Sequence, residues 1–87
     1  MDIRLLRSFV EVAALGSVTQ AARRLGYSQD AVTQHVQRVE SLLGGRLIRR
    51  GGDGIVLTDF GRRVLPLARV AVTATDELVA MKQPVAP

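Results

Sequence analysis

Cysteine and tryptophan are absent from the 87 residues, and histidine occurs once, as His35. The chain therefore has no disulfide to staple it and no thiolates for a zinc or iron–sulfur site, and a lone imidazole does not make a metal centre. No cysteine nucleophile exists and His35 has no recognisable serine or aspartate partner motif, so the chain reads as a non-enzyme, with no catalytic residue, metal or cofactor assigned. Aromatic residues make up only 3% of the chain, as Phe9, Tyr27 and Phe60. Leu, Val and Ala must fill most of a core around these three, and the hydrophobic share of 47% is enough for a small one. Long apolar runs are missing too: Arg4, Arg7 and Glu11 break the first apolar stretch, and none approaches the roughly 20 residues a bilayer needs. Neither a signal peptide nor a membrane partner is expected, and the expected location is the cytoplasm. The length corresponds to one folding unit.

Positive charge is present but unevenly placed. The net charge is +4, yet residues 1–16 and residues 51–87 are each neutral. The whole excess lies in residues 17–50, where Arg23, Arg24, Arg38, Arg46, Arg49 and Arg50 face only Asp30 and Glu40. A localised basic surface suits a polyanion. Eleven of the twelve basic residues are Arg, whose planar fork matches phosphate and the guanine edge. Charge alone leaves a solvated basic face equally open, so the choice falls to motif and spacing.

The apolar pattern predicts a mainly α fold with one small β-hairpin. Leu6, Phe9, Val10 and Ala13 form one helical stripe between a capping Asp2 and a stop at Gly16. Ser17-Val18-Thr19-Gln20 has capping-box spacing and opens a short second helix, with Ala21, Ala22 and Leu25 as its buried face. Gly26 ends that helix and Ser28 caps a third, predicted over residues 29–43 with Val32, Val36, Val39 and Leu43 as its buried edge. Two helices joined by so short a link must cross steeply, which is helix-turn-helix geometry. Gly44-Gly45 ends the third helix. Two β-prone runs, Leu47-Ile48-Arg49-Arg50 and Ile55-Val56-Leu57, flank Gly51-Gly52-Asp53-Gly54 and predict a hairpin, a wing beside the third helix. Thr58 caps a long last helix from Asp59 to about Met81, with a bend expected near Arg62 to Pro66. Phe60, Val64, Leu67, Ala71, Ala74, Leu78 and Met81 alternate steps of four and three along it, a coiled-coil seam about three heptads long. The chain thus divides into residues 1–58, a winged helix-turn-helix; residues 59–82, a linking and dimerising helix; and residues 83–87, an extended tail.

These blocks, taken in order, resemble the amino-terminal domain of the LysR-type transcriptional regulators. The resemblance rests on Leu5 to Ala13, Gly16 to Leu25, Ser28-Gln29, Val39 to Gly44, Arg46 to Arg50 and Leu57 to Gly61, and covers nearly the whole chain. It implies a bacterial, DNA-binding transcription regulator acting on the nucleoid. It also implies a homodimer held by the last helix, a recognition helix beginning at Ser28-Gln29, and a wing on the flanking minor groove. Molybdate-responsive regulators carry a similar winged domain, and a winged helix used for protein interaction is a further alternative. Similar proteins usually have Pro in place of Asp30 and Phe in place of Ile48. They usually continue into a larger effector-binding domain, so any small-molecule effector is expected to act through a domain absent from this chain.

Candidate contacts to double-stranded DNA follow from the outward side of the third helix. Gln29, Thr33, Gln34 and Gln37 are candidates for base readout, because Gln bonds adenine N6 and N7 in a two-point contact and Thr offers a methyl to thymine. Asp30 belongs to the same group, either accepting from cytosine N4 or steadying the positive end of the helix dipole. Ser17, Thr19, Arg24, Ser28, Arg38, Arg46, Arg49 and Arg50 are candidates for phosphate or wing contacts. Arg49 and Arg50 are adjacent on a strand and point to opposite faces, so one of the two is expected to reach DNA. His35 is expected on a flank of the third helix, as a surface residue.

Overall fold

The computed structural model describes residues 1–85. Four helices and one hairpin follow in order: α1 (Ile3–Leu15), α2 (Val18–Leu25), α3 (Gln29–Leu43), β1 (Ile48–Gly51), β2 (Gly54–Leu57) and α4 (Asp59–Ala80). Each helix starts where a short polar side chain takes an orphan amide. Asp2 accepts from Arg4 N–H, Ser17 from Gln20 N–H, Ser28 from Ala31 N–H and Thr58 from Gly61 N–H. Among the described residues Gln20 makes no return bond to Ser17, so only half of the expected capping box forms. The first three helices end on Gly16, Gly26 and Gly44 at φ of 63°, 75° and 78°, a left-handed conformation that a Cβ would strain. α4 runs as one helix through Pro66. Residues 82–85 form neither helix nor strand, and Ala86 and Pro87 of the expected tail lie outside the described residues.

One core joins all four helices. Phe9, Val12, Val32, Val39, Ala21 and Leu47 are wholly buried at its centre, and α4 adds Leu65 and Ala68. Fully burying a side chain the size of Val, Leu or Phe contributes roughly 1.5–3 kcal/mol against leaving it in water. Small Ala21 and Ala22 let α2 approach its neighbours closely, while Leu25 stays partly exposed.

Four details of the expected core are corrected by the packing. The α1 face that is buried is Leu5, Ser8, Phe9 and Val12, whereas Leu6, Val10 and Ala13 lie at its margin. The helix is apolar around more than half its circumference, and contact with α2, α3 and α4 together selects the face. Leu43 is 41% exposed; its place on the α3 edge is taken by Glu40. Tyr27 is a surface residue at 37% exposure, standing edge-on to His35 with ring centroids 5.0 Å apart. His35 is itself half-buried, its Nδ1 2.7 Å from Oγ of the fully buried Ser8, and this pair ties α3 to α1.

The hairpin pairs Ile48 with Leu57, Arg49 with Val56, Arg50 with Ile55 and Gly51 with Gly54, leaving a two-residue turn at Gly52-Asp53. Three bonds fix it to the helices. The buried Glu40 carboxylate accepts Leu47 N–H at 2.8 Å, Gly16 C=O accepts Ile55 N–H at 3.0 Å, and Leu47 C=O accepts Thr58 N–H at 3.0 Å. α4 then departs so close to residue 47 that a Cβ on Gly61 would overlap the Leu47 carbonyl oxygen.

Past Val72, α4 is largely clear of the body, and the molecule reaches 55 Å along its longest axis. A two-point ion pair steadies this projecting part: Arg7 on α1 meets Asp76 at 2.8 and 3.1 Å. The Arg7 guanidinium holds the Asp76 carboxyl below the usual carboxylate range, and Asp76 in turn raises Arg7.

Candidate nucleic-acid interface

The valines of α3 decide which way its polar side looks. Val32, Val36 and Val39 are at most 2% exposed, so the helix cannot roll about its axis without unburying them. Gln29, Asp30, Thr33, Gln34, Gln37, Arg38 and Ser41 are consequently all exposed. The described chain leaves this side uncovered over its whole length.

Two clefts border it. One, of about 260 Å³, brings the start of α2 (Ser17, Thr19), the start of α3 (Gln29, Thr33) and the wing (Arg50, Asp53) around one space. The other, about 190 Å³, lies between α3 and the hairpin, with Thr33 and Gln37 on one wall and Arg46, Arg49 and Arg50 on the other. Candidates far apart in sequence are thus gathered along a single strip. Ser17 and Ser28 each use Oγ as acceptor for a helix amide, at 3.1 Å, which leaves the hydroxyl hydrogen free to donate outward. Arg50 shares its strand face with Ile48, toward the helices, while Arg49 lies on the Val56 face. Both arginines are exposed, and both border the second cleft.

Several expected residues are placed differently. Arg24 lies 3.5 Å from Glu11 of α1 and borders neither cleft, being grouped with Leu15, Gln20 and Arg23. Arg46 is 3.2 Å from Glu40 but remains 75% exposed, so its charge stays available on the surface. Asp30, Gln34 and Arg38 are exposed on α3 outside both clefts. Two residues escaped the sequence reading. Asp53 sets a carboxylate at the wing tip, and Glu40 stands behind the interface as the acceptor that holds the wing's first residue. A glycine-rich turn carrying one Asp was a visible signal for the first; nothing local to α3 marks the second.

The seam residues of α4 divide into two sets. Phe60, Val64 and Ala71 are partly buried against the body, whereas Leu67, Ala74, Leu78 and Met81 are exposed. Val70 and Val79 add to the exposed apolar surface. Met1, Leu6, Leu43, Phe60, Val64 and Leu67 line an apolar groove of about 480 Å³ beside the first half of α4. Among the described residues no group of three or more His, Asp or Glu side chains is placed to hold a metal ion, and no helix is long and apolar enough to cross a membrane.

The arrangement is similar to the BenM DNA-binding domain in complex with catB site 1 DNA, with a TM-score of 0.85 and 32% identity over 93% of this chain and 91% of that one. It is also similar to full-length CbnR complexed with its target DNA, with a TM-score of 0.83 and 35% identity over 92% of this chain and 28% of that one. Fold and surface together define a DNA-binding domain of the winged helix-turn-helix class. A family model described as the bacterial regulatory helix-turn-helix protein, lysR family, matches residues 3–62. The chain belongs to this family of transcription regulators. Among its relatives is the small neutral protease regulatory protein of Streptomyces coelicolor, 46% identical over 77 residues that are 88% of this chain and 24% of the relative. The chain spans about a quarter of the length of most of the curated relatives it matches.

Proposed function

We propose that this chain reads a specific DNA sequence as a homodimer, each α3 lying in a major groove and each hairpin reaching the flanking minor groove. The observation that carries the reading is the uncovered polar side of α3, locked outward by valines and flanked by wing arginines. Amide and hydroxyl groups of Gln29, Thr33, Gln34 and Gln37 meet base edges. The hydroxyls of Ser17, Thr19 and Ser28 meet phosphates, with Arg38, Arg46, Arg49 and Arg50 supplying charge. Arg24, turned toward Glu11, joins them only by releasing a pair worth at most about 1 kcal/mol. Chemistry plays no part: the role is that of a cytoplasmic regulator, with effector control residing in a domain beyond this chain.

The dimer is supported by the exposed apolar side of α4 and by its continuity with the apolar groove through Leu67. A second copy of α4 laid along it removes Leu78, Met81 and Val79 from water. Two-fold symmetry then requires an interrupted inverted repeat, its halves about one helical turn apart or a multiple of that. Selection of bound duplexes from a random pool, with sedimentation of the purified protein, tests both parts. A two-fold symmetric motif and a dimer mass are expected. Indifference to duplexes at low ionic strength refutes the DNA reading, and an asymmetric motif bound by a monomer refutes the assembly.

A further inference from the structure

Asp30 is the second residue of α3 and stands exposed between Gln29 and the uncharged pair Thr33 and Gln34 on the outward side. Among the described residues five of the eight Asp and Glu carboxylates lie within 3.5 Å of an arginine, and Asp30, like Asp53 and Glu77, is not one of them. Capping does not occupy it either, because Ser28 already accepts the Ala31 amide at 3.1 Å. Among the described residues Asp30 is the one exposed carboxylate on the outward side of α3; Asp53, also without an arginine partner, stands apart from it at the wing tip.

We propose that Asp30 determines specificity by selecting cytosine, through its exocyclic N4 amino group, at one base pair of each half-site. The proposal rests on α3 being the groove-facing helix. An ionised carboxylate has acceptors only. On the major-groove floor guanine offers N7 and O6 and thymine offers O4 and a methyl group, so neither has a hydrogen to give. Cytosine N4 and adenine N6 are the two donors. Adenine N6 is flanked by acceptors on both sides, its own N7 and O4 of the paired thymine, and both repel a carboxylate. Cytosine N4 has one such neighbour, O6 of the paired guanine, with an apolar C5–H on its other side. Cytosine therefore holds the carboxylate best. Phosphate is no rival partner, since like charges repel, and the charge that weakens binding to DNA at large is the one that directs this side chain to the bases.

The test is selection from a random duplex pool with three versions of the chain: wild type, Asp30→Asn and Asp30→Ala. The wild type is expected to enrich cytosine at one position per half-site by roughly tenfold over guanine and thymine. Asp30→Asn, whose amide both donates and accepts, admits adenine and guanine there, and Asp30→Ala loses preference at that position alone. Both variants bind random duplex more tightly at equal salt. Identical motifs from all three proteins overturn the proposal, and so does a lower melting temperature of the variants with the motif unchanged, which marks a helix-start role only. Retention of no duplex by any of the three overturns the reading of α3 itself, and this proposal with it.

Discussion

Replacing Glu40 by Ala tests how the wing is held to α3. The Glu40 carboxylate is 10% exposed and accepts Leu47 N–H at 2.8 Å and Arg46 Nε–H at 3.2 Å. Leu47 is wholly buried, so its amide finds no water when the acceptor goes. Stranding a buried donor costs about 1–3 kcal/mol. The Arg46 contribution adds no more than about 1 kcal/mol, because that guanidinium is 75% exposed and well screened. A total of about 1–4 kcal/mol follows, and at about 4–8 °C per kcal/mol for a domain of this size the melting temperature falls by at least about 4 °C. Glu40→Gln keeps an oxygen for Leu47 N–H and loses roughly 1 kcal/mol. Arg46→Met, which leaves the buried bond intact, moves the midpoint by less than about 8 °C. The assay is thermal unfolding followed by circular dichroism at one fixed protein concentration, since self-association would shift the midpoint. A Glu40→Ala midpoint within about 2 °C of wild type would refute the reasoning, because even about 1 kcal/mol cannot hide in so small a shift.

Three further outcomes are expected. Gly61→Ala should destabilise by about 1–3 kcal/mol, against the roughly 1 kcal/mol gain an open helix gives for this change, because the new methyl meets the Leu47 carbonyl; a raised melting temperature would refute it. Arg50→Gln should weaken binding to random duplex and lower the slope of log K against log salt by about one, with Arg49→Gln having the smaller effect; equal slopes for both variants would show that strand face does not matter. In acid, Asp76 is depressed by Arg7, so its contribution is present above its unfolded value near 3.8 and is lost as pH falls through the lower folded value. Asp2, lowered to about 2 by its bonds to Arg4, acts over the same side of the scale. Asp76→Asn should therefore flatten the fall in melting temperature below pH 4, and unchanged acid slopes would show that the pair is not held in solution.

Element boundaries were legible because their signals are local. A cap of Asp, Ser or Thr stands at each helix start and a glycine stop at the ends of the first three helices, which begin and end where those residues stand. Which face is buried is a different question, answered by neighbours that are distant in the chain. The Leu6 stripe of α1 is as good a helical pattern as the Leu5 stripe; contact with three other helices chooses between them. Polar residues that bond across elements were the least legible. Glu40, Ser8 with His35, and Arg24 with Glu11 each join segments at least six residues apart, and no local period encodes such a partner. The outward side of α3 was legible for the opposite reason: it has no internal partner, so the valine spacing alone orients it. The two clefts that gather Ser17, Thr33 and Arg50 depend on the Ile55 to Gly16 bond, which spans 39 residues.

That bond, with the two at Leu47, means that the hairpin loses its conformational entropy during folding and not on arrival at DNA. Under the proposed function, docking is then close to the meeting of two rigid surfaces over α2, α3 and the wing. The heat capacity of association should accordingly track the surface brought into contact, with no extra share from a segment condensing on the duplex. Evolution of a new operator under this arrangement is confined to exchanging side chains on a fixed frame, as proposed for position 30, because the frame itself has little slack to re-aim them.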